Sequence, residues 1–227
     1  CSISSLTWTI TGATTGSGSG NIGAFTFNTG TSTVIYTLTD NSTPPHTSVC
    51  TYDVTVTDTQ LPTMLCPAAL TRNTDPGVCS YTATGNEFDP TNVVENCPGY
   101  TLSNNYTGGS TLAGAVFPLG LTNVRWVLMD AGMNSTECYI DITIVDNQAP
   151  VITTCAPAQT ASAGASCQAA VPDLTGLIAL TDNCTQNGDF TITQSPAAGT
   201  LAGVGVTNIT ITATDEEGNS ITCNTSF

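Results

Sequence analysis

The sequence predicts an all-β protein in which similar β-sandwich modules follow one another along the chain. Three observations predict it: a unit that recurs about every 87 residues, apolar and polar residues that alternate within the unit, and ten cysteines at repeated positions. Alternation with a period of two is typical of strands that are buried on one face. A repeat of this length is too long for a solenoid and suits a self-contained sandwich.

The most recognisable strand of the unit runs from a glycine to an aspartate and occurs three times. Ten positions separate the two residues in each copy, and the alternation is clear in Val34, Tyr36 and Leu38. A turn follows each copy, and a cysteine lies in the next predicted strand. The copies are residues 30–40, 120–130 and 205–215, and the cysteines are Cys50, Cys138 and Cys223.

Cysteine positions set the length of the unit. Four pairs of cysteines recur at separations of 85 to 89 residues, and they are Cys66/Cys155, Cys79/Cys167, Cys97/Cys184 and Cys138/Cys223. Four markers with one period indicate true repetition. We therefore predict that residues 1–57 are the C-terminal part of a first module, that 58–145 form a complete module of about seven strands, and that 146–227 form a third module with a truncated last strand.

Two short joints connect the predicted modules. They start at Asp58 and Asp146, and each contains a proline, Pro62 or Pro150. Proline restricts the backbone and stiffens a spacer, so we expect a rod-like array of modules.

Composition excludes several classes of function. The chain has 17 acidic residues, two arginines, no lysine and a net charge of −15, so it would repel nucleic acid and anionic membranes. No apolar run approaches the ~20 residues of a membrane span. The single histidine, His46, has no cysteine near it and no C-x-x-C pair occurs, so zinc ligation has no support.

The cysteines are therefore predicted to form disulfides, which places the chain in an oxidising compartment. The first predicted module, residues 1–57, retains only Cys1 and Cys50, which predicts that these two cysteines pair. The repeat then extends this pairing to Cys97–Cys138 and Cys184–Cys223, and it leaves Cys66–Cys79 and Cys155–Cys167. A bridge between modules is the alternative for the last two pairs.

Several motifs together resemble the hyalin repeat (HYR) family over nearly the whole chain. They are the joint Asp58-x-x-x-Pro62 with Cys66-Pro67, the turn from Asp75 to Cys79, Glu95-Asn-Cys97 and Asp182-Asn-Cys184, the stretch Phe117–Val124, and Thr214-Asp215 with Gly218-Asn219 and Cys223. The resemblance implies an immunoglobulin-like sandwich in extracellular adhesion. Tandem modules of this kind are also similar to the repeats of very long bacterial surface adhesins, including those of gliding Bacteroidota.

Calcium is the ligand that the acidic residues favour, and no other cofactor is expected. Asp58 and Asp146 lie at the joints, and turns near one module end carry four more acids, Asp130, Asp215, Glu216 and Glu217. Hard cations bind several oxygens at about 2.3–2.6 Å. The alternative is a purely structural role, in which the repeated aspartates accept hydrogen bonds from the backbone of their turns.

No catalytic residue is predicted, and we expect no enzyme activity. The leading interpretation is a structural or adhesive segment of a long extracellular or cell-surface filament or adhesin stalk, whose partners are neighbouring modules of the same chain or fibre and surface glycans or proteins. The alternatives are a module that binds a glycan or protein directly, an accessory sandwich of a secreted hydrolase, and a matrix or complement-related protein.

Overall fold

The computed structural model describes residues 2–186 and 188–227. Cys1 lies outside the described residues, and so does the predicted pairing of Cys1 with Cys50. The described residues form nineteen strands and a single 3₁₀ turn, Thr175–Leu177, which confirms the all-β prediction. No helix among these residues is long and apolar enough to cross a membrane.

The strands are named in chain order. They are β1 Ile3–Gly12, β2 Gly16–Ser19, β3 Gly30–Asp40, β4 Thr47–Val56, β5 Thr63–Leu65, β6 Leu70–Asn73, β7 Ser80–Thr82, β8 Thr91–Val94, β9 Tyr100–Asn104, β10 Val116–Pro118, β11 Gly120–Asp130, β12 Ser135–Val145, β13 Val151–Thr154, β14 Gln168–Ala170, β15 Ala179–Thr181, β16 Thr191–Ser195, β17 Leu201–Gly203, β18 Asn208–Thr214 and β19 Ser220–Ser226.

The fold divides into two compact units. The first comprises Cys1–Leu65, Thr91–Ser103 and Val127–Glu137, and the second comprises Cys66–Pro90, Asn104–Trp126 and Cys138–Phe227. Residues of the predicted module 58–145 fall partly in the first unit and partly in the second. The module boundaries therefore stay predictions.

The first unit contains a four-stranded antiparallel sheet in the order β2-β1-β3-β4. The alternation in β1 and β3 places Ile10 and Val34 opposite each other, and both side chains are buried. Trp8 on the same strand packs edge-on against Phe25, with ring centroids 5.5 Å apart. A second small sheet pairs β5 with β8.

The second unit contains an antiparallel sheet in the order β16-β18-β19, with a core cluster behind it. Ile209 and Ile211 of β18 are fully buried, and they pack with Val171 and Leu174. The equivalent strand β11 buries Trp126, which also has no exposed surface. The apolar positions that predicted these strands therefore face the core.

A glycine with a positive φ lies at or just before the start of each of the three repeated strands. Gly30, Gly120 and Gly205 have φ values of 111°, 93° and 128°, which lie in the region that residues with a Cβ seldom adopt. The recurring glycine thus marks a recurring turn that leads into the strand.

The disulfides differ from four of the predicted pairs. The structure pairs Cys66 with Cys138, Cys79 with Cys184, and Cys155 with Cys223, so the predicted pairs Cys97–Cys138, Cys184–Cys223, Cys66–Cys79 and Cys155–Cys167 are wrong. Cys50, Cys97 and Cys167 have no disulfide partner among the described residues.

The parallel pairing of β6 with β12 explains the first correction. Leu70 lies opposite Ile142 in this ladder. Because the two segments run in the same direction, the residues four positions before this pair are Cys66, which precedes β6, and Cys138 on β12. The sulfur of Cys66 accordingly lies 3.8 Å from the carbonyl oxygen of Tyr139. Cys155 holds the repeat position of Cys66, and its sulfur lies 3.7 Å from the carbonyl oxygen of Asn224, the residue after Cys223.

Candidate metal centre

Three carboxylates lie close together in the second unit, and each follows the end of a strand: Asp146 follows β12, Asp182 follows β15 and Asp215 follows β18. Asp146, Asp182 and Asp215 each offer an oxygen, and these oxygens lie within 4.8 Å of one another. Asp146 and Asp215 are buried, and Asp182 is half-buried. Two unit charges at this separation repel by about 3 kcal/mol at an effective dielectric constant of 20. The chain has few cations with which to balance them, because it contains two arginines and no lysine.

Hydrogen bonds hold one oxygen of Asp146 and leave the other without a partner. Its Oδ1 accepts bonds from Thr74 Oγ1, the Gln148 backbone N–H and Asn183 Nδ2, each at 3.1 Å. Its Oδ2 is buried and accepts no hydrogen bond. A buried charged oxygen without a partner is costly, which indicates that a ligand belongs there.

Asp182 has the same division between its two oxygens. Its Oδ2 accepts bonds from the backbone N–H groups of Cys184 and Thr185, both at 2.8 Å. Its Oδ1 is buried and has no partner. The backbone bonds therefore fix the orientation of this carboxylate.

Asn219 holds Asp215 in position. Its backbone N–H donates to Asp215 Oδ1 at 2.7 Å, and its Nδ2 donates to Asp215 Oδ2 at 2.9 Å and to the Asp146 carbonyl oxygen at 3.2 Å. The turn that the sequence predicted as a capped loop thus also fastens Asp215 to the start of the joint.

The first unit repeats this arrangement around Asp58. Asn134 donates to both carboxylate oxygens of Asp130 at 2.8 Å and to the Asp58 carbonyl oxygen at 3.2 Å. Glu95 takes the place of Asp182, because its Oε1 accepts the Cys97 backbone N–H at 2.8 Å. Asp58 Oδ2 and Glu95 Oε2 are buried without a partner. A carboxylate oxygen of Asp58, one of Glu95 and the Cys97 sulfur lie within 4.8 Å of one another.

The carboxylates in the first unit affect the Cys97 thiol. A hydrogen bond with Asp58 is the main cause that raises the pKa of Cys97, followed by burial and the charges of Asp58, Glu95 and Asp130. This thiol is consequently kept protonated and is a poor nucleophile at neutral pH.

The sequence named four of the acids in these clusters and missed two. Asp146 and Asp215 are brought together in the second unit, and Asp58 and Asp130 lie in the first. Glu216 and Glu217 are exposed on the turn and stand outside the group of three. Although the Glu217 side chain is exposed, partial desolvation of its carboxyl group, followed by the charges of Asp146, Asp215 and Glu216, raises the pKa of Glu217.

The two missed residues were visible in a motif. Glu95 and Asp182 are the acids of Glu95-Asn-Cys97 and Asp182-Asn-Cys184, two motifs that indicated only the family resemblance. Their position before a repeated Asn-Cys pair, at the same module end as the joint, was the available signal.

A second polar cluster contains the only histidine of the chain. Ser42 Oγ lies 2.5 Å from Asp40 Oδ1 and 2.8 Å from His46 Nδ1, and the same Nδ1 lies 3.3 Å from Asp40 Oδ2. A serine–histidine–aspartate relay instead needs the serine on one ring nitrogen and the carboxylate on the other. The arrangement here caps the turn, and it lowers the pKa of Asp40 to about 2, chiefly through the Ser42 hydroxyl.

Part of the chain matches a known domain family. Residues 57–144 match the family model of the HYR domain, which confirms the predicted resemblance over that segment. The described residues also contain three disulfides, which are typical of proteins in an oxidising compartment. The chain matches no curated protein.

Solved cadherin structures are similar over most of the chain at low identity. EC21-23 of human CDH23 is 14% identical, with a TM-score of 0.39 and coverage of 86% of this chain and 73% of that one. EC22-24 of mouse cadherin-23 is 13% identical, with a TM-score of 0.36 and coverage of 97% and 84%. Cadherin domains 1-4 of protocadherin gamma B7 are 15% identical, with a TM-score of 0.38 and coverage of 87% and 56%, so this chain spans about half of that length.

Proposed function

We propose that the chain is a structural and adhesive segment of a long extracellular or cell-surface filament or adhesin stalk. Its partners are neighbouring modules of the same chain or fibre, together with surface glycans or proteins. We assign the segment no catalytic role. Its work is to carry tension and to keep an adhesive end away from the surface.

The Cys79–Cys184 disulfide is the observation that carries this proposal. It joins residues separated by 105 positions, and they lie on opposite sides of the predicted boundary at residue 146. The bond is longer in sequence than the repeat itself, so it links one predicted module to the next. A covalent link of this kind resists separation of the modules under load, which suits a stalk better than a string of independent binding domains.

Polar contacts accompany this covalent link. Gln148 Nε2 donates to Thr74 Oγ1 at 2.9 Å and to the Asp75 carbonyl oxygen at 3.1 Å, and the Gly77 backbone N–H donates to Gln148 Oε1 at 2.9 Å. Asn183 Nδ2 lies 3.3 Å from the Val78 carbonyl oxygen. The joint residues are therefore held to the turn before Cys79 on several sides.

The repeat extends the same linkage beyond this pair. Cys167 holds the repeat position of Cys79, and Cys97 holds the position of Cys184. Neither has a disulfide partner among the described residues. We propose that both form the Cys79–Cys184 type of bond with modules elsewhere in the longer protein, so that every joint is covalently closed.

Imaging of the native protein tests the proposal. Antibodies raised against this chain should label thin fibres that project from the producing cell, at intervals of one or a few modules in electron tomograms. Label confined to compact secreted particles would contradict the stalk and favour an accessory domain of a secreted protein.

A further inference from the structure

We propose that Asp146, Asp182 and Asp215 form a calcium-binding site in the second unit. The site stands apart from the proposed stalk function, because an ion can bind these residues whether or not the native protein is a filament.

The spacing of the oxygens fits a single ion. Oxygens that share one Ca²⁺ at about 2.3–2.6 Å cannot lie further apart than roughly 4.6–5.2 Å. The three oxygens of this site lie within 4.8 Å of one another. The separations of the three carboxylate oxygens therefore fall within the range that the ligands of one calcium ion span.

The partnerless oxygens provide the independent sign of a ligand. Asp146 is 6% exposed, and its Oδ2 has no hydrogen-bond partner. Asp182 Oδ1 is buried in the same way. The opposite oxygen of each carboxylate is already engaged by N–H donors, so neither group can rotate to satisfy the free oxygen without breaking bonds.

The donor set selects a hard cation. All three ligands are carboxylate oxygens, and the nearby Cys184 sulfur is committed to its disulfide with Cys79. Such a set suits Ca²⁺ or Mg²⁺ and not zinc or copper. Ca²⁺ accepts six to eight oxygens in irregular geometry, so that water entering beside the half-exposed Asp182 can complete its shell. Mg²⁺ demands a regular octahedron, which three carboxylates anchored on separate loops do not supply.

Calorimetric titration of the metal-free chain with CaCl₂ tests the site. We expect saturable binding with a dissociation constant on the order of 10⁻⁴–10⁻³ M, as in extracellular calcium modules. D182N should remove one bound ion per chain or weaken its binding at least tenfold. D141N removes an equal charge from the exposed Asp141 on β12, and it should bind as the wild type does.

Side-chain amide resonances locate the ion without any substitution. The Nδ2 groups of Asn183 and Asn219 contact the site carboxylates, whereas Asn123 Nδ2 contacts Asp141. Calcium should shift the first two resonances and leave the third unchanged. The proposal is overturned by the absence of binding at 10 mM CaCl₂, by equal binding in D182N and wild type, by shifts confined to other residues, or by tighter binding of Mg²⁺ than of Ca²⁺.

Discussion

Stretching the chain between its ends tests whether Cys79 is bonded to Cys184. In the oxidised protein the shortest covalent path passes through Cys66–Cys138 and Cys155–Cys223, which bypass 72 and 68 residues. Roughly 140 residues therefore cannot extend. At about 3.6 Å per residue, reduction of all disulfides should add about 500 Å of contour length.

Removal of one bond isolates the contribution of Cys79–Cys184. In the double variant C66S/C138S, the path continues from Cys66 to Cys79, crosses to Cys184 and returns to Cys155. This detour is about 25 residues longer than the wild-type path, so the contour length should increase by about 90 Å. Without the Cys79–Cys184 bond the increase would be the whole 72-residue loop, about 260 Å.

Force spectroscopy of single molecules distinguishes these two lengths. The matched control is the quadruple variant C66S/C138S/C79S/C184S, which should show the increase of about 260 Å. An equal increase in the double and quadruple variants would refute the pairing of Cys79 with Cys184. Contour length is independent of stability, so weaker folding in the variants leaves the comparison intact.

Three further predictions concern the core, the capped turn and the repeated cysteines. Trp126→Ala removes a fully buried side chain and should lower the free energy of unfolding by about 3–5 kcal/mol in urea titrations; a loss below about 1 kcal/mol would show that the core does not depend on it. Asp40 should titrate at about pH 2 by NMR, and Ser42→Ala should raise that midpoint because the serine hydroxyl is the main cause of the lowered pKa. The lowered pKa means that the ionised carboxylate stabilises the fold above about pH 4 and loses this effect as the pH falls through 2. Cys167 should react readily with iodoacetamide in this chain and Cys97 only slowly, because the pKa of Cys97 is raised, and both should be protected in a protein extended by one module at each end; persistent reactivity of Cys167 would contradict closed joints.

Local patterns in the sequence were sufficient for the strands. The alternation in 30–40, 120–130 and 205–215 predicted three strands, and the structure has β3 and β11 over the first two ranges and the shorter β18 within the third. A strand that is buried on one face needs apolar residues at alternate positions, so the pattern is visible within a short stretch of sequence. The same holds for the glycine before each strand, since its φ value is a local requirement.

Disulfide pairing depended on contacts between distant residues. The sequence showed that cysteines recur, but the parallel register of β6 and β12 decides that Cys66 meets Cys138. The number of cysteines in one module does not reveal the bond between Cys79 and Cys184, because these two cysteines belong to different copies of the repeat.

The acidic site shows the same division between local and distant information. The sequence identified Asp146 and Asp215 as acids at a joint and a turn, and these positions hold. Only the tertiary structure brings Asp182 beside them, because 33 or more positions separate it from either residue. Sequence periodicity specifies which residues face inward along one strand, whereas the meeting of three loops depends on how the strands pack.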